Sequence, residues 1–322
     1  MYVANSQNNS ISSYALDKTN GRLAYIGKTS TGTTPYAVTI DPKGKFLYTA
    51  NFGSSDVTAF GINTADGSLT KVESVLAANN PDSISVDPLG KFLYVANYMS
   101  DSVSIYAIDA ITGLPASSSF VTTGSNPTSL AVHPSGNFVY VSNRLSNNIG
   151  IYNVNVTTGG LASMYAPVTA GSGPFALAID PSGKFAYIAN FASNNVSAYK
   201  INTQSGELTI IGTVNSELSP CSIAIDPTGK FAYVANQNSN SVSVYSIDQI
   251  TGALTANILT ATTQLKPSAI AIDPSGMFAY VANQDSHSIS AYVINSTTGM
   301  LDANAPPHFP QTLGPVSIAI TP

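Results

Sequence analysis

The stretch Asp226-Pro227-Thr228-Gly229-Lys230-Phe231-Ala232-Tyr233-Val234-Ala235-Asn236 is a tight turn feeding a short strand. Asp can bond the backbone two residues on, Pro presets φ, and Gly supplies the positive φ that closes the turn. Phe231 to Ala235 then runs as a strand rich in aromatic and aliphatic residues. The pattern recurs along the chain. Tyr-x-(Ala/Ser)-Asn stands at Tyr2–Asn5, Tyr48–Asn51, Tyr94–Asn97, Tyr140–Asn143, Tyr187–Asn190, Tyr233–Asn236 and Tyr280–Asn283, and successive Asn residues lie 46 or 47 apart. A fixed period in this range marks a repeat architecture, in which each unit buries its faces against its neighbours.

One repeat holds four strands. Cys221 to Ile225 alternates and forms strand A, which the turn joins to strand B, Phe231 to Ala235. A polar loop from Asn236 to Ser241 leads to strand C, Val242 to Ile247, and a second turn ending at Gly252 leads to strand D from Leu254. Four antiparallel strands per repeat, joined by hairpins, make one blade of a β-propeller. The chain opens inside a strand B and closes on a strand A, Val316 to Ile320. Pairing the two builds a seventh blade and removes the open sheet edge. Seven Asn signatures and seven loop prolines (35, 81, 127, 174, 220, 267 and 315) agree on seven blades, read as one all-β domain over 1–322. Leu301 to Gly314 reads as an irregular insertion carrying Pro306, Pro307, His308 and Pro310.

Composition narrows the function classes. Charged residues make up only 9% of the chain and the net charge is −5, with no basic cluster to neutralise phosphates, which argues against nucleic acid. No apolar run reaches the ~18–20 residues of a membrane-spanning helix. The lone Cys221 excludes an internal disulfide and reads as a packed thiol. One carboxylate per Asp-Pro-x-Gly turn falls far short of a calcium shell, so neither metal nor cofactor is expected. The low-charge, Asn/Ser/Thr-rich surface reads as exported or cell-surface, the abrupt start inside a repeat reads as a domain excised from a larger protein, and a monomer or such a domain is expected.

The Asp-Pro-x-Gly-Lys-Phe-x-Tyr-Val-Ala-Asn string and the Ser-Val-Ser-Val-Tyr at 241–245 resemble the YVTN-type propeller repeat. That repeat is found in archaeal surface-layer propellers and in lactonase-type, 6-phosphogluconolactonase-like propellers. The resemblance covers the whole chain and implies a seven-bladed propeller. For the lactonase-type members it also implies His, Arg and Glu groups around the central opening. Arg22, Glu73 and Glu207 fall in or near outer strands D, and no catalytic set is matched residue by residue.

Differences among the repeats locate a candidate site. In the loops after the strand-B Asn stand Gln7, Phe52, Tyr98, Arg144, Phe191, Gln237 and Gln284. After the loop Pro stand Tyr36, Asp82, Thr128, Phe175, Cys221, Ser268 and Val316. Both positions face the channel mouth. Tyr36, Phe52, Asp82, Tyr98, Arg144, Phe175 and Phe191 gather in blades two to five, leaving an amide half opposite. Rings and guanidinium groups are common binding anchors. The expectation is therefore a non-enzymatic propeller that binds a glycan or protein through this crescent. The alternative is a hydrolase of a sugar lactone, with Arg144 holding an anion and Asp82 or His287 as base. His133 takes the turn-Asp position on the opposite face and reads as a turn acceptor.

Overall fold

The computed structural model describes residues 1–256, 260–303 and 312–322. Pro306, Pro307, His308 and Pro310 of the expected insertion lie outside the described residues. The chain is all-β and forms seven sheets of four antiparallel strand positions each, strand D being split in blades four and six. In blade six, strand A (Pro220–Ile225) pairs with B (Phe231–Asn236), B with C (Ser241–Ile247), and C with the two pieces of D. The seventh sheet is closed as the sequence predicts: Tyr2 pairs with Ala319 and Val3 with Ile318.

The core lies between blades. Strand B is buried at all six of its positions in blades three to seven. Each of the seven blade interfaces carries one buried apolar cluster, and those containing Met1, Val3 and Tyr2 join blade one to blades seven and two. Hydrogen bonds repeat across the same interfaces. The strand-B tyrosine of one blade donates to the glycine carbonyl in the C–D turn of the next, as in Tyr140 to Gly206 at 2.9 Å and Tyr280 to Gly21 at 2.7 Å. The signature Asn residues are fully buried, and their amides donate to strand C, as in Asn236 to Ser243 Oγ at 2.9 Å.

The turns behave as their chemistry requires. Asp226 Oδ1 accepts the Phe231 N–H at 2.7 Å, and Gly229 sits at φ 70°. His133 replaces this carboxylate, as expected of a turn acceptor: Nδ1 accepts the Ser135 N–H at 3.1 Å and Nε2 lies 2.8 Å from the Gly183 carbonyl. Where strand A begins, its register with B breaks. Pro35 faces Asn51 and Ala37 faces Ala50, so Tyr36 is the extra residue of a β-bulge. The break recurs after Pro81, Pro127, Pro174, Pro220 and Pro267, and in blade one it leaves out Val316. A bulge turns a side chain out of the alternating pattern. Here it sets seven variable side chains around the channel.

Candidate functional site

All seven bulge residues line one cavity of about 150 Å³ at the channel mouth. The bulge puts each of them on the innermost strand, pointing where neighbouring blades converge. Three of them use the position to stitch the ring. Thr128 Oγ1 donates to the Pro174 carbonyl at 3.0 Å, the Cys221 thiol to Pro267 at 3.1 Å, and Ser268 Oγ to Pro315 at 2.8 Å. Burial pushes the Cys221 thiol up to about 12, so it is an inert donor rather than a nucleophile.

Asp82 occupies the equivalent place in blade three and makes a different use of it. It is 8% exposed, and its carboxylate accepts no hydrogen bond from any described residue. Burial raises its pKa to about 8, against the opposing pull of the Arg144 guanidinium. Burial first, then the field of Asp82, pushes the neighbouring Tyr36 hydroxyl up to about 12. A buried, unpartnered carboxylate that titrates near neutral pH has the properties of a general base.

The rest of the crescent sits above this cavity. Tyr36 and Phe52 lie with ring centroids 5.4 Å apart, and Phe52 and Tyr98 lie 6.3 Å apart. Phe175 and Phe191 pair at 5.5 Å, and the Arg144 guanidinium lies 5.4 Å from one ring centroid and 5.2 Å from the other. Those two rings also lean on the core between blades six and seven. All five rings and Arg144 are half-buried, with part of each surface open to solvent. The loop residues are held by one repeated backbone bond, such as Tyr98 N–H to the Asn80 carbonyl and Arg144 N–H to Asn126, both at 2.9 Å. The structure thus brings together the seven residues singled out from the sequence: Tyr36, Asp82 and Phe175 in the wall of the cavity, and Phe52, Tyr98, Arg144 and Phe191 around its rim.

Several placements differ from the sequence reading. In blade one the counterpart of Phe52 is Ser6, whose N–H reaches the Gly314 carbonyl at 2.9 Å, and Gln7 is displaced one residue on. The amide half is not a bystander, since Gln237 and Gln284 also line the cavity. Their lining role was hidden because it depends on contact across blades some fifty residues apart. His287 is not available as a base. Its Nδ1 accepts the Gly314 N–H at 3.0 Å and locks the neighbouring loop, the task Asn240 Oδ1 performs for Lys266 N–H at 2.7 Å. Arg22, Glu73 and Glu207 are exposed, in or beside outer strands, as expected. A larger cavity of about 590 Å³ opens on the opposite rim, beside Met1 and Pro322.

Solved structures share the architecture over nearly the whole chain. A Bacteroides uniformis protein provisionally named a 6-phosphogluconolactonase superposes with a TM-score of 0.89 at 20% identity, covering 98% of this chain and 97% of that one. A similarly named Bacteroides fragilis protein gives 0.87 at 21% identity, covering 98% and 96%. A periplasmic gluconolactonase of Pseudomonas aeruginosa gives 0.85 at 20% identity, with the same coverage. At these identities the likeness establishes the fold alone. No curated protein matches the sequence. The model of the family described as "Lactonase, 7-bladed beta-propeller" matches five overlapping segments, 1–86, 76–176, 114–221, 162–261 and 209–312. This overturns the expectation of a non-enzymatic binding propeller, which rested on the low charge, the aromatic crescent and the lack of a matched His/Arg/Glu set: the chain belongs to the lactonase family of seven-bladed β-propellers.

Proposed function

We propose that this protein is a hydrolase that opens a small lactone at the channel mouth, with Asp82 as the general base. The observation that carries this reading is the Asp82 carboxylate itself: buried, with no hydrogen bond from any described residue, its pKa raised to about 8, and facing a cavity in a lactonase-family propeller. At roughly 30 Å³ per water, 150 Å³ holds about five waters. That is room for a nucleophilic water and the reacting ester, while the rest of the substrate lies over the rim.

The steps balance without a cofactor. Asp82 takes a proton from water as its oxygen attacks the lactone carbonyl carbon, giving a tetrahedral oxyanion. The Arg144 guanidinium, held in orientation by the Phe175 and Phe191 faces, stabilises that negative charge. Collapse re-forms the carbonyl and breaks the ring C–O bond. The proton on Asp82 passes to the departing alkoxide, leaving a hydroxy acid. An exported location is supported by the low charge density and by the periplasmic lactonase among similar structures.

The test is proton release from glucono-δ-lactone in a pH-stat, with the enzyme-free rate subtracted. The wild type should exceed that rate clearly, Asp82→Asn should lose about 10²–10⁴ of the catalysed rate, and Arg144→Ala should lose rate while unfolding at the wild-type temperature. Wild-type hydrolysis at the blank rate for every lactone tried, or an unaffected Asp82→Asn, refutes the reading.

A further inference from the structure

We propose that the channel mouth selects an uncharged lactone, stacked by its C–H face on Tyr36, Phe52 and Tyr98, and disfavours one bearing a phosphate. The proposal rests on the lactone-hydrolase reading above and adds the substrate class. Two independent features carry it.

The first is charge. Among the described residues, the loops on this face hold two cations, Arg144 and Lys266. Lys266 is already paired with Asp285 at 3.5 Å. Against them the same loops hold three acids, Asp101, Glu217 and Asp285, and Asp56 and Asp82 stand at the adjoining strand ends. Arg144 also faces Asp82, whose proton affinity it lowers. A phosphate dianion would approach a face with an excess of acids, and it would sit beside a carboxylate that must ionise to work. Its field would raise the proton affinity of Asp82 further and leave less of the base ionised. A phosphate site instead gathers several cationic or backbone N–H donors around one anion. A lone guanidinium spread over two rings does not provide that.

The second feature is shape. Tyr36, Phe52 and Tyr98 form a continuous half-exposed aromatic track from the cavity wall to the rim, at 5.4 and 6.3 Å between successive centroids. An aromatic face gives a flat apolar surface for the C–H side of a small ring and contributes no charge.

The experiment compares kcat/KM for glucono-δ-lactone and its 6-phosphate, each corrected for spontaneous hydrolysis, at low and high salt. The neutral lactone should be preferred by at least about tenfold at low salt, and the preference should shrink as salt screens the face. An Asp101→Asn, Glu217→Gln double variant should raise turnover of the phosphorylated lactone severalfold and leave the neutral one unchanged. Asn is a safe replacement at 101, because Asn147 and Asn194 already accept the equivalent loop N–H at 2.8 Å. Tyr98→Ala should raise KM for the neutral lactone. Equal or faster turnover of the phosphorylated lactone overturns the proposal. If neither lactone is turned over, the hydrolase reading fails, and calorimetric binding of both lactones to Asp82→Asn decides selectivity alone: tighter binding of the neutral one, lost in Tyr98→Ala, sustains it, and any other order overturns it.

Discussion

Replacing Asp82 by Asn tests one group through two unrelated observables. The carboxyl is raised from 3.8 to about 8 by burial, with Arg144 opposing. At pH 7 roughly a tenth of the molecules then carry the ionised base. The catalysed kcat/KM should rise about tenfold between pH 7 and pH 9 and level off above. Asn at this position should remove about 10²–10⁴ of the rate at pH 9 and abolish the inflection. The same shift fixes a stability change. From about pH 4 to about pH 8 the folded chain holds a proton that the unfolded chain has released, so this group's stabilising effect is complete below pH 4 and is lost as pH rises to 8. At ~1.4 kcal/mol per pKa unit, the loss over that window is about 6 kcal/mol, an upper bound because side-chain relaxation reduces it. Asn cannot titrate. In urea unfolding the variant should therefore be more stable than the wild type at pH 9, and the gap should close toward pH 4. A rate profile with its inflection near pH 4–5, or equal urea midpoints at pH 9, would refute the assignment of Asp82 as a buried base.

Other outcomes follow from the repeat itself. Tyr140→Phe should cost about 1–3 kcal/mol by leaving the Gly206 carbonyl without its donor, whereas Tyr233→Phe should be neutral or stabilising, because the Tyr233 hydroxyl is buried without a partner among the described residues; equal melting shifts for the pair would contradict this. Gly206→Ala should be strongly destabilising, since φ is +76° and a Cβ would lie 2.5 Å from the Phe138 ring, while Gly212→Ala, with nothing within 4 Å, should leave the melting temperature nearly unchanged. Deleting residues 315–322 removes strand A of blade one, with its ladder to Tyr2–Asn5, and should lower the unfolding temperature of the whole ring; a truncated chain that melts like the full one would argue against a closure that depends on this strand.

The amino-acid sequence by itself determined the blade count, the strand order and the closure. Those follow from local chemistry: period-two alternation, turns that need Asp, Pro and Gly, and a spacing of 46 or 47 residues. It also identified the two variable positions, because seven internal copies act as their own comparison. Only the tertiary structure decided what those positions do. That the post-Pro residue is a bulge pointing into the channel depends on pairing with a strand some fifteen residues away. That Asp82 is buried with no hydrogen bond from any described residue, while Thr128, Cys221 and Ser268 are satisfied, depends on the neighbouring blade. His287 looked free in a serine-rich loop and is tied to Gly314, a contact formed when the ring closes. From the sequence Asp82 and His287 stood as equal candidates for the base, because a residue's proton affinity is set by the surfaces folded around it. Here those surfaces come from neighbouring blades, and no window of sequence contains them.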